Sequence, residues 1–203
     1  MNQDFKKSSS NNKKNTEESG NTVMLYLHDF VFWLVAILLV FFLVFRVIVV
    51  SGISMNMTLV DGDYLLLVNN IFYVEPEQGD IIVASKDTFK NGEPIIKRVI
   101  ATEGQWVDID FETGIVYVNG NPLDEPYTNT PTNLDEGVSF PLMVDDGCVF
   151  ALGDNRNSSK DSRSLEIGQI DKREILGRAI FLFLPGNDPV TEKKSFDRIG
   201  ALS

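Results

Sequence analysis

An all-β domain of barrel or sandwich type, preceded by a single membrane-crossing helix, is the architecture this sequence predicts. Three features predict it: a charge-free apolar run at 30–45, a series of short apolar stretches broken by Gly, Pro, Asn and Asp beyond residue 60, and a polar, Ser/Asn-rich beginning. With 203 residues the chain has room for one medium domain besides the helix, not for two large ones.

Residues 1–22 are too poor in apolar side chains to offset their ordering entropy, and are expected to form a disordered polar tail. Residues 23–50 are expected to form the anchor helix. Its core, FVFWLVAILLVFFLVFRVIVV at 30–50, is interrupted only by Arg46. About 20 residues rising 1.5 Å each span the roughly 30 Å hydrocarbon core of a bilayer, and an arginine near one end can snorkel to the headgroups. The run is longer than the apolar core of a cleaved leader, so it reads as an uncleaved single-pass anchor. Lys6, Lys7, Lys13 and Lys14 precede it, which puts the amino terminus in the cytoplasm and residues 51–203 outside it.

Strands are expected at 64–68, 81–85, 95–102, 106–110, 115–118, 147–152 and 175–184. Phe111-Glu112-Thr113-Gly114 reads as a hairpin loop and Asn119-Gly120 as a second turn. Residues 122–142, with four prolines and few apolar side chains, read as a polar surface connector.

Composition narrows the chemistry. The formal net charge of −11 argues against nucleic acid, which is bound through Lys and Arg. One cysteine, Cys148, excludes an intramolecular disulfide and a thiolate metal cluster, and reads as a small buried residue. One histidine, His28, lies at the edge of the apolar run, so a Ser-His-Asp triad or a multi-histidine zinc site is excluded over almost the whole chain. A hydrolase built on this sequence needs a different base, with no metal or organic cofactor expected. Lys97 is one candidate. In a strand it shares a face with Ile95 and Val99, and desolvation there favours the neutral amine, which can activate a serine hydroxyl. Taken alone, it fits equally a strand edge from which the amine reaches water. Ser54, a few residues past the apolar run, would meet substrates at the membrane surface, although serine after glycine also suits a plain turn. The stretch 153–163, GDNRNSSKDSR, fits turns, or a polar shell that orients a lysine.

Together these stretches resemble the type I signal peptidases. The family pattern Gly-x-Ser-Met-x-Pro-Thr-Leu is met by Gly52-Ile53-Ser54-Met55-Asn56-Met57-Thr58-Leu59. Gly62-Asp63, Gly79-Asp80-Ile81-Ile82-Val83, Lys97-Arg98-Val99-Ile100, Gly153-Asp154-Asn155-Arg156, Ser159-x-Asp161-Ser162-Arg163 and Gly177-Arg178-Ala179 come in the family's order. The resemblance implies a signal-peptidase-type all-β catalytic domain with a hydrophobic surface toward the bilayer. It implies a membrane-bound endopeptidase that removes signal peptides from secreted preproteins, cutting after small residues at the first and third positions before the cut. Ser54 would be the nucleophile, its own backbone N–H an oxyanion donor, and Lys97 the general base. Ser159 would orient the lysine amine, and Asp161, Arg163 and Arg98 would form supporting contacts. Met57 departs from the pattern, standing where proline is usual, and Ala101-Thr102-Glu103-Gly104-Gln105 drifts from the frequent Gly-Leu-Pro-Gly-Asp; Gly52 stands where some members carry a second oxyanion-binding serine. The alternative is a non-catalytic, membrane-tethered relative that binds extended peptides. A self-cleaving Ser/Lys protease fits less well because of the anchor, and a sortase-like transpeptidase because of where His28 lies.

Overall fold

The computed structural model describes residues 4–202. The chain divides between Leu43 and Val44 into two units. The first is one helix, α1 (Asp4–Val44). Its stretch Met24–Val44 is apolar and, at 21 residues or about 31 Å, long enough to cross a bilayer.

Both ends of this helix differ from the sequence reading. It takes in residues 4–22, where a disordered tail is expected; turns added to an existing helix avoid the cost of nucleation. Residues 1–3 lie outside the described residues. At the other end the helix stops at Val44 rather than near residue 50, and β1 (Phe45–Val49) comes next. Val47, Ile48 and Val49 are β-branched and stiff at χ1, and they pair antiparallel with β2 (Tyr64–Asn69), Phe45 opposite Val68 and Val49 opposite Tyr64. Arg46, expected near the headgroups at the end of a helix, is a strand residue opposite Leu67.

The second unit is all-β. The strands after β2 are β3 (Ile81–Ser85), β4 (Pro94–Thr102), β5 (Trp106–Asp110), β6 (Ile115–Val118), β7 (Asn121–Pro122), β8 (Leu142–Met143), β9 (Cys148–Leu152), β10 (Ile170–Asp171), β11 (Ile175–Leu184) and β12 (Gly200–Ala201). They form two antiparallel sheets. The larger has the order β1-β2-β11-β3-β4-β9-β10, with β12 also on β11; the smaller is β7-β6-β5-β8. All seven expected strands are present with ends moved by one residue at most. The turn between β6 and β7 uses Asn119 at φ 52° and Gly120 at φ 77°, the left-handed pair that a two-residue hairpin needs.

Three apolar clusters fill the unit. One lies between the two sheets and includes Ile100, Val107, Val116, Phe150 and Leu152. A second gathers Ile82, Phe89, Val99 and Ile175. The third reaches into the loop after β1: Met55 and Leu59 of that loop are buried with Leu65, Ile81, Val83 and Ile96. The loop is therefore pegged into the core on either side of its turn. Leu59→Ala is expected to cost about 2–5 kcal/mol, as truncation of a fully buried leucine does, and the midpoint of denaturation in detergent measures it.

Candidate active site

The loop between β1 and β2 is closed at its base by Val50 N–H to Asp63 O (2.8 Å) and Gly62 N–H to Val50 O (2.9 Å). Within it, Asn56 N–H donates to Ile53 O and Leu59 N–H to Met55 O, a tight turn that leaves Ser54 half-buried at the surface of the core. Gly52 has φ +91°, a backbone conformation suited to glycine, and its N–H donates to Asp61 Oδ1 at 2.8 Å. The Asn56–Met57 peptide is cis, and Met57 is exposed.

Lys97 comes from the middle of β4, opposite Ile82 of β3, and is 3% exposed. Its Nζ lies 2.9 Å from Ser54 Oγ and 2.9 Å from Ile96 O. The two residues are 43 positions apart in sequence and meet side chain to side chain.

The third component is the loop after β9. β9 pairs with β4 so that Leu152 faces Arg98, which carries the chain from Gly153 onward past the dyad. Asn155 N–H donates to Ser54 O (3.0 Å) and Asn155 Nδ2 to Ile53 O (3.0 Å). Gly153 has no room for a side chain: a Cβ there would lie 2.1 Å from Ser159 Oγ and 2.5 Å from Ser54 O.

Ion pairs sealed from water fix this loop. Arg163 and Asp161, both fully buried, are joined by two bonds of 2.8 and 2.9 Å, and Asp161 also accepts from Gly153 N–H. Arg98 is joined twice to Asp154, at 3.0 and 2.9 Å, and Thr58 Oγ1 from the loop between β1 and β2 donates to the same carboxylate at 2.5 Å. Asp154 thus ties the loop that carries Ser54, β4 and the loop after β9 together.

The structure brings Ser54 and Lys97 together and places Asp161, Arg163 and Arg98 in pairs close by. The Ser159 hydroxyl is buried without a hydrogen bond and packs against Gly153. The sequence reading also misses several contributors. Arg156 is buried and paired with Glu125, and it donates to Thr132 Oγ1 and Gly153 O. Tyr127 lies 4.1 Å from the Arg98 guanidinium and donates to Glu125 at 3.1 Å; burial pushes its hydroxyl pKa well above the usual range. The connector 122–142 is therefore part of the site's support, not only a surface loop. Arg156 belongs to the Gly153-Asp154-Asn155-Arg156 motif, which is its signal in the sequence; Glu125 and Tyr127 carry no local pattern.

Beside the dyad is a cleft of ≈ 280 Å³, walled by Ser51–Ser54 on one side and Glu93–Lys97 on the other, with Phe89, Ser158 and Lys160 completing it. On its far side β9 pairs only with residues 98–102 of β4, so among the described residues Pro94–Ile96 have no strand partner there. Among the described residues no group of three or more His, Cys, Asp or Glu is placed to hold a metal ion. Asp154→Asn, which leaves the Arg98 guanidinium buried without its counter-charge, is expected to cost about 3–5 kcal/mol. Lys86→Gln, at a partly exposed pair with Glu174, should cost under about 1 kcal/mol in the same denaturation experiment.

The family model described as signal peptidase, peptidase S26, matches residues 23–184. Signal peptidase I of Bacillus licheniformis is 32% identical over 176 residues, 83% of this chain and 92% of that protein. Signal peptidase I T of Bacillus subtilis is 32% identical over 186 residues, 88% of this chain and 94% of the relative. A probable signal peptidase I-1 of Synechocystis is 39% identical over 142 residues, 66% and 68% of the two chains. The crystal structure of a signal peptidase I from Enterococcus faecalis is 29% identical and covers 51% of this chain and 96% of that one, with a TM-score of 0.42. With a match over most of its length and relatives covered nearly end to end, this chain belongs to the type I signal peptidases, the peptidase S26 family of hydrolases.

Proposed function

We propose that this chain is a membrane-anchored serine endopeptidase that removes signal peptides from preproteins, with Ser54 as nucleophile and Lys97 as general base. The observation that carries the reading is the 2.9 Å contact between Lys97 Nζ and Ser54 Oγ at the end of a cleft with an open strand edge.

The proposed steps are these. The Lys97 amine is held at Ile96 O and against the Ser54 hydroxyl, and in its neutral form its lone pair can accept that hydroxyl's proton. As Oγ attacks the scissile carbonyl, its proton passes to Lys97, and Lys97 then delivers it to the leaving amine. The acyl-enzyme is released by a water from which Lys97 takes a proton in turn. The Ser54 N–H donates to the developing oxyanion, a type of contact worth roughly 3 kcal/mol. Gly52 brings no hydroxyl to that oxyanion. The extended substrate adds to the open edge at Pro94–Ile96 as an extra strand, so main-chain bonds hold it while the cleft reads side chains.

The helix stretch Met24–Val44 anchors the enzyme, with the amino terminus cytoplasmic and the β domain outside. Ile71, Phe72 and Val74, exposed together in the loop after β2, give that domain an apolar surface suited to lipid.

Cleavage of a purified preprotein in lipid, read by mass spectrometry, tests the dyad. A single cut by the wild type, with kcat reduced about a thousandfold or more in both Ser54→Ala and Lys97→Ala at unchanged circular dichroism, is the expected result. No cut by the folded wild type, or indifference to both substitutions, would favour a peptide-binding relative instead. For the lipid-facing surface, Phe72→Asp should slow cleavage of a preprotein in vesicles severalfold while leaving a short soluble peptide unaffected.

A further inference from the structure

The cleft has a feature that the reaction itself does not use. Its two walls, Ser51–Ser54 and Glu93–Lys97, both run up to the dyad and end there; beyond Lys97 the edge of β4 is closed by β9. The enclosed part of the cleft therefore lies on one side of the scissile bond. A peptidase that selects small residues before the cut reads that side, so substrate residues before the cut run alongside Glu93–Lys97, parallel to β4.

Alternation then fixes what meets what. Paired strands place opposite side chains on the same face, and faces alternate with a period of two. With the residue before the cut beside Lys97, the third residue before it faces Ile95, and the fifth comes level with Glu93, the cleft-wall residue just before β4, about 13 Å from the dyad at 3.3 Å per residue. The second and fourth point to the other face. Gly92, at φ +82° with its carbonyl held by Ser85 Oγ at 2.7 Å, turns the chain away, so Glu93 is the last residue an extended substrate can meet. Its side chain is exposed and belongs to the cleft wall.

We infer that Glu93 is a specificity-determining residue, and that this enzyme prefers preproteins with a lysine or arginine at the fifth position before the cut. The inference rests on the signal-peptidase reading and adds a charge preference to it. The preference is electrostatic and reversible in sign: a carboxylate on the wall favours a cationic side chain and disfavours an anionic one.

The test uses the full-length enzyme in lipid and one preprotein carrying Lys, Gln or Glu at the fifth position before the cut. A second series carries the same residues at the fourth. For the wild type, kcat/KM at the fifth position is expected to be about threefold higher with Lys than with Gln, the size of an exposed ion pair, and lower again with Glu. The difference should collapse at about 1 M salt, where the Debye length is roughly 3 Å. Glu93→Gln should remove the preference and Glu93→Lys should invert it, each read as the ratio of kcat/KM between the Lys, Gln and Glu substrates. Charge dependence at the fourth position instead of the fifth would overturn the register, and indifference at both would overturn the inference. Either result leaves the dyad untouched, since the Gln substrate is still cut and Ser54→Ala still abolishes that cut.

Discussion

The site depends on keeping a lysine amine out of water and against a serine hydroxyl. In water that amine would carry a proton and have no lone pair to offer; in an apolar interior the charged form is the expensive one. β4 supplies the interior. Lys97 is flanked in sequence by Ile96 and Arg98, both buried, and sits across from Ile82 in the centre of the larger sheet. A slip of one residue in the β3–β4 register would turn Lys97 to the opposite face and bring Arg98 or Ile96 toward Ser54 instead. The register is pinned by Ile82, Val83, Ile96 and Val99, all buried, so the chemistry is fixed by ordinary packing.

Placing the serine against that amine takes three segments that are distant in sequence, and buried ion pairs join them. Arg98 leaves β4 next to Lys97 and ends on Asp154; Asp154 also holds Thr58 of the loop that carries Ser54. Arg163 and Asp161 close the loop that carries Asn155, whose N–H bonds the Ser54 carbonyl. Such pairs add little net stability, because desolvation offsets their attraction. Their geometry is another matter. Two-point arginine–carboxylate contacts fix direction as well as distance, and here they hold the loop whose Asn155 bonds the Ser54 carbonyl. The connector joins the same system through Glu125 on Arg156 and Tyr127 on Arg98.

How much of this the sequence discloses depends on the kind of signal. β2, β3, β4, β5, β6, β9 and β11 are readable because short apolar runs bounded by turn residues have few other uses. The helix end is not: Val47-Ile48-Val49 satisfies a bilayer and a sheet strand equally, and only pairing with β2 decides between them. Ser54 and Lys97 stand out by motif and order, while residue-level reasoning on each stays open, since burial of a lysine is a property of the folded sheet. The Ser159 contact is expected from resemblance alone, and the structure places its hydroxyl against Gly153. Glu125 and Tyr127 are unreadable for a plain reason: a carboxylate and a phenol in a proline-rich polar stretch announce nothing until the arginines they meet are placed.

β4 has two halves with opposite fates, and the contrast explains why the enzyme has an entrance at all. Arg98–Thr102 is covered by β9, whereas Pro94–Ile96 is, among the described residues, paired by β3 alone. An open edge invites unwanted strands, and proteins blunt such edges by keeping them short, by proline, and by inward-pointing charge. Two of these are present: the opening is a few residues long, and Pro94 offers no N–H. The same devices restrict which strands can stay. A passing segment finds few main-chain partners and must present small side chains to a narrow cleft, so only a strand that also places a peptide bond beside Ser54 gains enough to remain. In the proposed reaction the substrate enters where the sheet is already open, at the short edge that runs up to Lys97.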